Sequence, residues 1–214
     1  MLMPCSLRCS RFITPILIAV LVLPLLAKDF SLPRPQDAST YQAHDAHPNE
    51  RVAIAVDFYN TIEKAKLFES DFLEKDLLPV YFIVTNSGEK PVALVEMKVN
   101  LVTRNRSKIQ PATEEDILRR FSKLKRRGGV TPMPIPVPRS PKAGVPKELK
   151  EELETAPFRA LAVEPNSTIA GFFFFDVSGI SDPLDRASIY VTGIRDGDGN
   201  DLMYFEIPLD KTVN

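Results

Sequence analysis

The stretch that decides the fold is LLPVYFIVTNSGEKPVALVEMKVNLVT, residues 77–103, because it is the longest segment with one clear periodicity. Side chains for a core face alternate with side chains for a mostly solvent-exposed face along 80–85 and again along 93–102, which is the pattern of half-buried β-strands. The string Asn-Ser-Gly-Glu-Lys-Pro at 86–91 has the composition of a turn between two strands. The sequence therefore predicts a β-hairpin over residues 77–103.

Further strands are predicted on both sides of this hairpin. The same alternation predicts strands at 51–59, 158–163, 168–177, 187–194 and 202–209, all antiparallel because short turns connect most of them. Together with the hairpin these make seven strands.

Two segments depart from simple alternation. The FFFF run at 172–175 is apolar on both faces, so its strand is either covered on both sides or presents one aromatic face to a partner. Burial is the commoner case, and we expect the strand to lie inside the protein. Residues 60–76 fit no single periodicity and are predicted to form a long, partly helical connection, with Asn60 as the helix cap.

Residues 105–156 interrupt the strand pattern and are predicted to be an insertion carried outside the core. Thr113 is expected to cap a helix that begins with Glu114-Glu115-Asp116 and ends with basic residues, both of which suit the helix dipole. A proline-rich bridge at 130–146 follows, and Pro146 is well placed to open a second helix over 147–155. Connections this long are usually functional or disordered, so we expect the insertion to hold the functional surface.

The basic end of the first predicted helix is the expected partner contact. Such a helix end could touch anionic lipid, although a solvated helix end is the more ordinary interpretation. The residues are Arg119, Arg120, Lys123, Arg126 and Arg127.

The N-terminal residues 1–27 have the composition of an export signal. Arg8 and Arg11 are the only charges, an uncharged apolar run covers 12–26, and Ala27 is a small residue at a plausible cleavage point. The apolar run is shorter than the roughly 20 residues that a membrane-spanning helix needs. We therefore expect an exported protein of the periplasm or cell envelope, with retention of 1–27 as an N-terminal anchor as the alternative.

Residues 28–50 are polar, lack a period, and are predicted to be a flexible tether in front of a β domain over 51–214. The two histidines of the chain, His44 and His47, lie in this segment. Two imidazoles on a mobile segment lack the further ligands and supporting contacts of a metal site. No metal and no cofactor are therefore predicted.

Composition excludes several classes of function. Without residues 1–27, Lys plus Arg falls from 27 to 25 against 28 Asp plus Glu, and no cysteine remains. A disulfide framework, a thiolate nucleophile and a cysteine-based metal site are then excluded. A charge of about −3 also argues against a nucleic-acid partner, which requires a strongly basic face.

Catalytic motifs are weak. Ser178 and Ser181 have no Gly-x-Ser-x-Gly context, and the only histidines lie far away in the sequence. The acidic turn at 196–201 spaces oxygen ligands like a calcium loop, but Asp201 stands where that loop requires glycine, so a hairpin turn is preferred. The sequence therefore predicts no catalytic residue, although paired carboxylates cannot be located by spacing alone.

Two segments together resemble a known group of domains. In LLPVYFIVTNSGEKPV, residues 77–92, a strand ending in Thr-Asn precedes a glycine-containing turn. In EPNSTIAGFFFFDV, residues 164–177, a proline-containing turn leads into an aromatic strand that ends in Phe-Asp. The pair resembles the immunoglobulin-like β-sandwich domains of exported bacterial proteins of unknown function. The resemblance implies a mainly β fold, a seven-stranded antiparallel immunoglobulin-like sandwich, and an envelope location, and it carries over no functional residue.

These observations favour an exported, non-enzymatic binding or structural module. Its expected partner is an envelope protein or component, contacted through the insertion or an exposed sheet edge, with a membrane surface as a further contact. A membrane-anchored envelope assembly factor is the alternative interpretation, followed by a carboxylate-based hydrolase.

Overall fold

The structure is a computed structural model and describes residues 30–123 and 145–209. The predicted export signal and nearly all of the predicted proline-rich bridge lie outside these residues. Within them the chain is mainly β, with ten strands in three antiparallel sheets, three α-helices and two short 3-10 turns. None of the described helices is long and apolar enough to cross a membrane.

The elements follow one another from strand-rich to helical and back to strand-rich segments. The helices are α1 (Ile62–Ala65), α2 (Glu114–Lys123) and α3 (Lys147–Thr155), and the 3-10 turns are Ala38–Thr40 and Leu73–Lys75. The strands are β1 (Ala43–His47), β2 (Val52–Phe58), β3 (Leu77–Asn86), β4 (Val92–Ala93), β5 (Lys98–Val102), β6 (Lys108–Ile109), β7 (Ala162–Val163), β8 (Ser167–Asp176), β9 (Ser188–Thr192) and β10 (Phe205–Pro208).

Two four-stranded sheets dominate the architecture. The first sheet has the order β1-β2-β3-β8 and the second has the order β10-β9-β5-β6, while β4 and β7 form a small third sheet. Every strand pair is antiparallel, as the turn lengths predict. The predicted final hairpin is confirmed, because β9 pairs with β10 in register from Val191 opposite Phe205 to Ser188 opposite Pro208.

The predicted hairpin over residues 77–103 is wrong. Strand β3 pairs with β2 and β8 in the first sheet, whereas β5 pairs with β6 and β9 in the second. Between them Met97 N donates to Leu94 O at 3.0 Å in a turn that leaves Leu94 buried and Val95 exposed. This turn breaks the alternation, and the chain crosses from one sheet to the other.

The expected count of seven strands also changes to ten. The predicted strand 93–102 is divided between β4 and β5, and the predicted strand 158–163 shortens to β7. Strands β1 and β6 come from segments where none was expected. In the connection 60–76, which is partly helical as predicted, Thr61 rather than Asn60 caps α1 through its side chain.

The two large sheets share one core. The first sheet contributes Val80, Phe82 and Phe175 among others, and the second contributes Ile189 and Phe205. A second core covers the other face of the first sheet, where the connection 60–76 and helices α2 and α3 pack on the aromatic side chains. Its fully buried members include Phe72, Tyr81, Ile117, Leu149 and Phe172. The first sheet is therefore covered on both faces.

The FFFF strand is buried, as predicted. Phe175 faces the core between the sheets, while Phe172 and Phe174 face the second core. Their exposed fractions are 1% for Phe172, 2% for Phe174 and 0% for Phe175, and Phe173 is half-buried. Strand β8 nevertheless stands at the end of its sheet and not at the centre.

The expectation that residues 105–156 lie outside the core is wrong for their described part. Helix α2 and helix α3 form as predicted, and Thr113 Oγ1 accepts a hydrogen bond from Asp116 N at 3.2 Å. Ile117 and Leu153 are nevertheless buried on the first sheet. The apolar outer face of that sheet must be shielded from water, and the helices supply the cover.

Both ends of the predicted insertion also bind the free edge of β8. Ala112 N donates to Phe174 O at 2.7 Å, and Phe172 N donates to Ala156 O at 2.8 Å. The backbone groups that an edge strand leaves unpaired are thereby satisfied along part of β8.

The predicted flexible tether 28–50 contains strand β1, so this prediction is wrong for the described residues. Ala38 and Ala43 are buried, and Ala38 N donates to Thr85 Oγ1 at 2.9 Å. Backbone pairing with β2 orders the segment, although most of its side chains are polar. At the other edge of β1, Asp45 Oδ2 accepts a hydrogen bond from Glu206 N at 2.9 Å, which joins β1 to β10 of the second sheet.

Candidate functional site

Arg120, one of the expected partner contacts, is engaged within the chain. Its Nη1 donates to Lys75 O at 2.8 Å, and its Nη2 contacts the Asp176 carboxylate and Ser178 Oγ. The side chain is only 25% exposed. Arg120 therefore fastens α2 to the 3-10 turn Leu73–Lys75 and to the end of β8.

The other expected contacts do not form a described basic cluster around it. Arg119 is exposed and pairs with Asp116 one turn earlier on the same helix. Lys123 is the last residue of α2, while Arg126 and Arg127 lie outside the described residues. Partner contact by this helix end stays a prediction.

The two histidines lie on β1 and have separate partners. His44 Nδ1 lies 2.6 Å from Tyr41 O, whereas His47 Nδ1 lies 2.7 Å from Glu50 Oε2. The His47 ring also stacks on Phe205 with a centroid distance of 3.9 Å. Within residues 30–123 and 145–209, no three His, Cys, Asp or Glu side chains are grouped in a way that could hold a metal ion.

The acidic turn at 196–201 is organised by its own hydrogen bonds. Asp196 accepts hydrogen bonds from Asp198 N and Asn200 N at 2.9 Å and from Asn200 Nδ2 at 3.0 Å. These bonds, with the Asn200 side chain first, lower the pKa of Asp196. Its carboxylate oxygens are thus used in shaping the turn.

The outer face of the second sheet is the candidate functional surface. Helices and loops cover the corresponding face of the first sheet, but among the described residues no helix packs on the second. We call this surface the tyrosine face. Its members, assigned from strand alternation, are Lys98, Asn100, Val102, Lys108, Ser188, Tyr190, Thr192, Tyr204 and Glu206.

Tyr190 lies at the centre of the tyrosine face. It stands in register with Asn100 on β5 and with Glu206 on β10. Its ring lies 5.1 Å from that of Tyr204, and Lys108 Nζ lies 5.5 Å from its centroid. An ammonium at this distance is attracted by the electron-rich ring face. The packing therefore restricts the orientation of the Tyr190 ring.

Such a surface is suited to recognition. Tyrosine offers a large contact area that is apolar on the ring and polar at the hydroxyl, and it loses little conformational entropy on binding. Tyr204 is 50% exposed, and the residues around Tyr190 offer hydrogen-bond donors and acceptors. On this face Ser188 Oγ donates a hydrogen bond to Glu206 Oε1 at 3.2 Å.

Sequence reasoning did not identify this surface. Alternation along 188–192 does place Ser188, Tyr190 and Thr192 on one side of the predicted strand. It does not tell which of the two sheets keeps an open face, because that depends on where the helices pack. Identifying this surface therefore required the tertiary packing of the helices.

Comparison with known proteins adds little to these observations. No protein-family model matches the chain, and no curated protein matches it. The crystal structure of a conserved hypothetical protein from Bacillus anthracis is similar over 79% of this chain and 93% of that chain, with 10% sequence identity and a TM-score of 0.33. A likeness at this level carries no argument about the fold or the function.

Proposed function

We propose that the protein is an exported, non-enzymatic binding module of the bacterial cell envelope, which recognises a protein partner through the tyrosine face. The observation that carries this proposal is the contrast between the two large sheets. The first is covered on both faces, whereas the outer face of the second presents Tyr190 and Tyr204 among polar neighbours within the described residues. The scaffold in this proposal is an immunoglobulin-like sandwich, which the common core of the two four-stranded antiparallel sheets supports.

The residues of the tyrosine face favour a protein over an anionic polymer as the partner. Lys98 and Lys108 are balanced in part by Glu206, so the face is not strongly basic. Tyrosine is enriched among the few residues that dominate the binding energy of protein interfaces. Asn100, Ser188 and Thr192 would supply hydrogen bonds around such an anchor.

Membrane anchoring of the same module is the second candidate. The apolar run 12–26 supports it, because retention of that run would hold the binding domain at the membrane. Mass spectrometry of the protein from its own host separates the two forms. A chain that begins near Lys28 and is released from the envelope by salt supports export in soluble form. An intact chain released only by detergent supports the anchor, and an intact chain in the cytoplasm contradicts both.

Site-specific photo-cross-linking in the native host tests the binding surface. A photoreactive residue placed at Asn100 or Thr192 should give a defined cross-linked protein in the envelope fraction. The same residue placed at Glu148 or Lys150, which are exposed on α3, serves as the control. Cross-linking from Thr192 should disappear with Tyr190→Ala while the variant melts normally. Cross-links that arise only from α3 would assign the interaction to the helices instead.

A further inference from the structure

A pocket of about 940 Å³ opens at the end of the molecule where β3 begins and β8 ends. This volume lies within the range of roughly 300 to 1,000 Å³ that is typical of small-molecule sites. The apolar part of its lining includes Leu73, Leu77, Leu78, Val177, Ile180 and Leu184.

The apolar lining is incompletely shielded by the protein itself. Leu77 and Leu184 are buried, whereas Leu73, Val177 and Ile180 are only half-buried. An apolar body in the pocket would remove the accessible parts of these side chains from water, which is favourable. The pocket is thus prepared for a ligand with an apolar portion.

The pocket also carries an excess of negative charge. Asp185 is balanced, because its carboxylate lies 3.1 Å from Arg104 Nη1 and 3.9 Å from Arg186 Nε. Asp76 and Asp182 line the same pocket, and neither carboxylate has an ion-pair partner among the described residues. Arg186 lines the pocket as well, so the three carboxylates and the guanidinium groups of Arg104 and Arg186 leave a net charge of −1, which favours a cation over an anion.

The backbone fixes the point from which one of these side chains extends. Asp76 has a left-handed conformation with φ of 55°, in which its N donates to Leu73 O at 3.0 Å and its O accepts from Val177 N at 2.9 Å. The residue therefore links the 3-10 turn before β3 to the loop after β8. Its side chain starts from a fixed point at the pocket.

The geometry points to a binding site for a small organic cation in this pocket. The apolar body of the ligand would lie against Leu73, Val177 and Ile180, and its ammonium group would lie beside Asp76 and Asp182. None of the residues that line the pocket belongs to the tyrosine face, so the site does not depend on the proposed binding surface.

Matched probes with one chain length test the inference on the purified exported protein. They are n-octylammonium, 1-octanol and octanoate, titrated below their aggregation limits while amide chemical shifts are recorded. We expect octylammonium to bind most tightly and to shift the amides of Leu77, Val177 and Ile180. Its Kd should be about tenfold lower than that of octanoate, the effect of two partly screened ion pairs.

Variants that remove the two carboxylates test whether the ammonium group binds beside them. Asp76→Asn combined with Asp182→Asn should reduce octylammonium affinity to that of octanol, and asparagine tolerates the left-handed conformation of Asp76. Glu164→Gln, at an exposed turn elsewhere, is the matched control and should leave the affinity unchanged. Equal binding of the three probes, shifts at other amides, the absence of binding, or an unchanged Kd in the double variant would each overturn the inference.

A lysine side chain of a peptide shares the same ammonium and apolar chemistry. Acetyl-leucyl-lysine amide is therefore titrated beside octylammonium. Weaker binding of the peptide supports a free organic cation as the ligand, whereas tighter binding would overturn that assignment in favour of a peptide.

Discussion

The guanidinium of Arg120 and the carboxylate of Asp176 form a hydrogen-bonded ion pair across 56 positions of the sequence. Asp176 ends β8, and Arg120 lies on α2, so the pair fixes the helix to the sheet. Burial acts to raise the pKa of Asp176, but hydrogen bonds from Ser178 and the charge of Arg120 together outweigh it and lower the pKa.

Replacement of Arg120 should destabilise the fold. Arg120→Ala removes the ion pair and the hydrogen bond to Lys75 O, and the partly buried position suggests a loss of about 1 to 2 kcal/mol in the free energy of unfolding. Arg119→Ala removes only an exposed pair on the same helix and should cost under about 0.5 kcal/mol. Urea unfolding of both variants measures the difference, and equal losses would contradict the role of Arg120.

The contribution of Asp176 should depend on pH. Its pKa in the folded state lies below the ordinary value of 3.8, so its stabilisation is fully present above that value and is lost as the pH falls through the folded pKa. The stability difference between the parent and Asp176→Asn should therefore shrink between about pH 5 and pH 2. Unfolding at several pH values checks this, and a constant difference would exclude linkage through Asp176.

Strand β8 should be sensitive to truncation on both faces. Phe175→Ala opens a cavity between the sheets and Phe174→Ala opens one under the helices, and each should cost about 3 to 5 kcal/mol. Ile62 is 80% exposed, so Ile62→Ala should change stability by less than about 0.5 kcal/mol. Thermal unfolding compares the three, and a near-normal Phe174→Ala would show that the second core is loosely packed.

Alanine substitutions at two glycines with similar backbone conformations distinguish the cost of backbone strain from the cost of a steric clash. Gly193 and Gly199 have φ of 76° and 86°, but a Cβ on Gly193 would overlap the Glu96 carbonyl, whereas nothing lies within 4 Å of one on Gly199. Gly199→Ala should cost about 1 kcal/mol, and Gly193→Ala should cost at least about 1 kcal/mol more. Chemical unfolding measures both. Equal costs would show that the chain relaxes around residue 193 without penalty.

Glu152 should hold the loop before the second 3-10 turn. This buried residue of α3 accepts hydrogen bonds from Glu69 N at 2.5 Å and Ser70 N at 3.2 Å, and its Oε2 has no hydrogen-bond partner among the described residues. Glu152→Ala should cost about 1 to 3 kcal/mol and speed hydrogen exchange of these two amides. Glu152→Gln keeps the accepting oxygen and should preserve their protection. Faster exchange in both variants would assign the effect to charge instead.

Local signals in the sequence predicted local structure well. The cap at Thr113 and the position of Pro146 correctly predicted both long helices, and the turn at 196–201 correctly predicted the final hairpin. Each depends on residues within one or two turns of chain. The burial of the FFFF run followed from its lack of a polar face.

Features that depend on distant segments were missed. The chain crosses from one sheet to the other between β3 and β5 because β2 and β8 pair with β3 in the first sheet. The alternation of residues on either side of residue 90 is the same for such a crossing as for a hairpin. Strand β1 has a polar sequence because it stands at an edge, where charged side chains are favoured. The tyrosine face and the pocket beside Asp76 both depend on where the helices and loops pack, so the sequence pattern alone does not predict them.

Detachment of the segments that cover β8 promotes aggregation more than its free-energy cost suggests. Residues 112 and 156–158 hydrogen-bond to the outer edge of this strand, and the helices beside them shield Phe172 and Phe174. If these segments detach while the sheets stay intact, a ten-residue strand with four consecutive phenylalanines becomes an open template for pairing with another copy. Aggregation of this protein should therefore be governed by release of its helices, well before the sheets themselves melt.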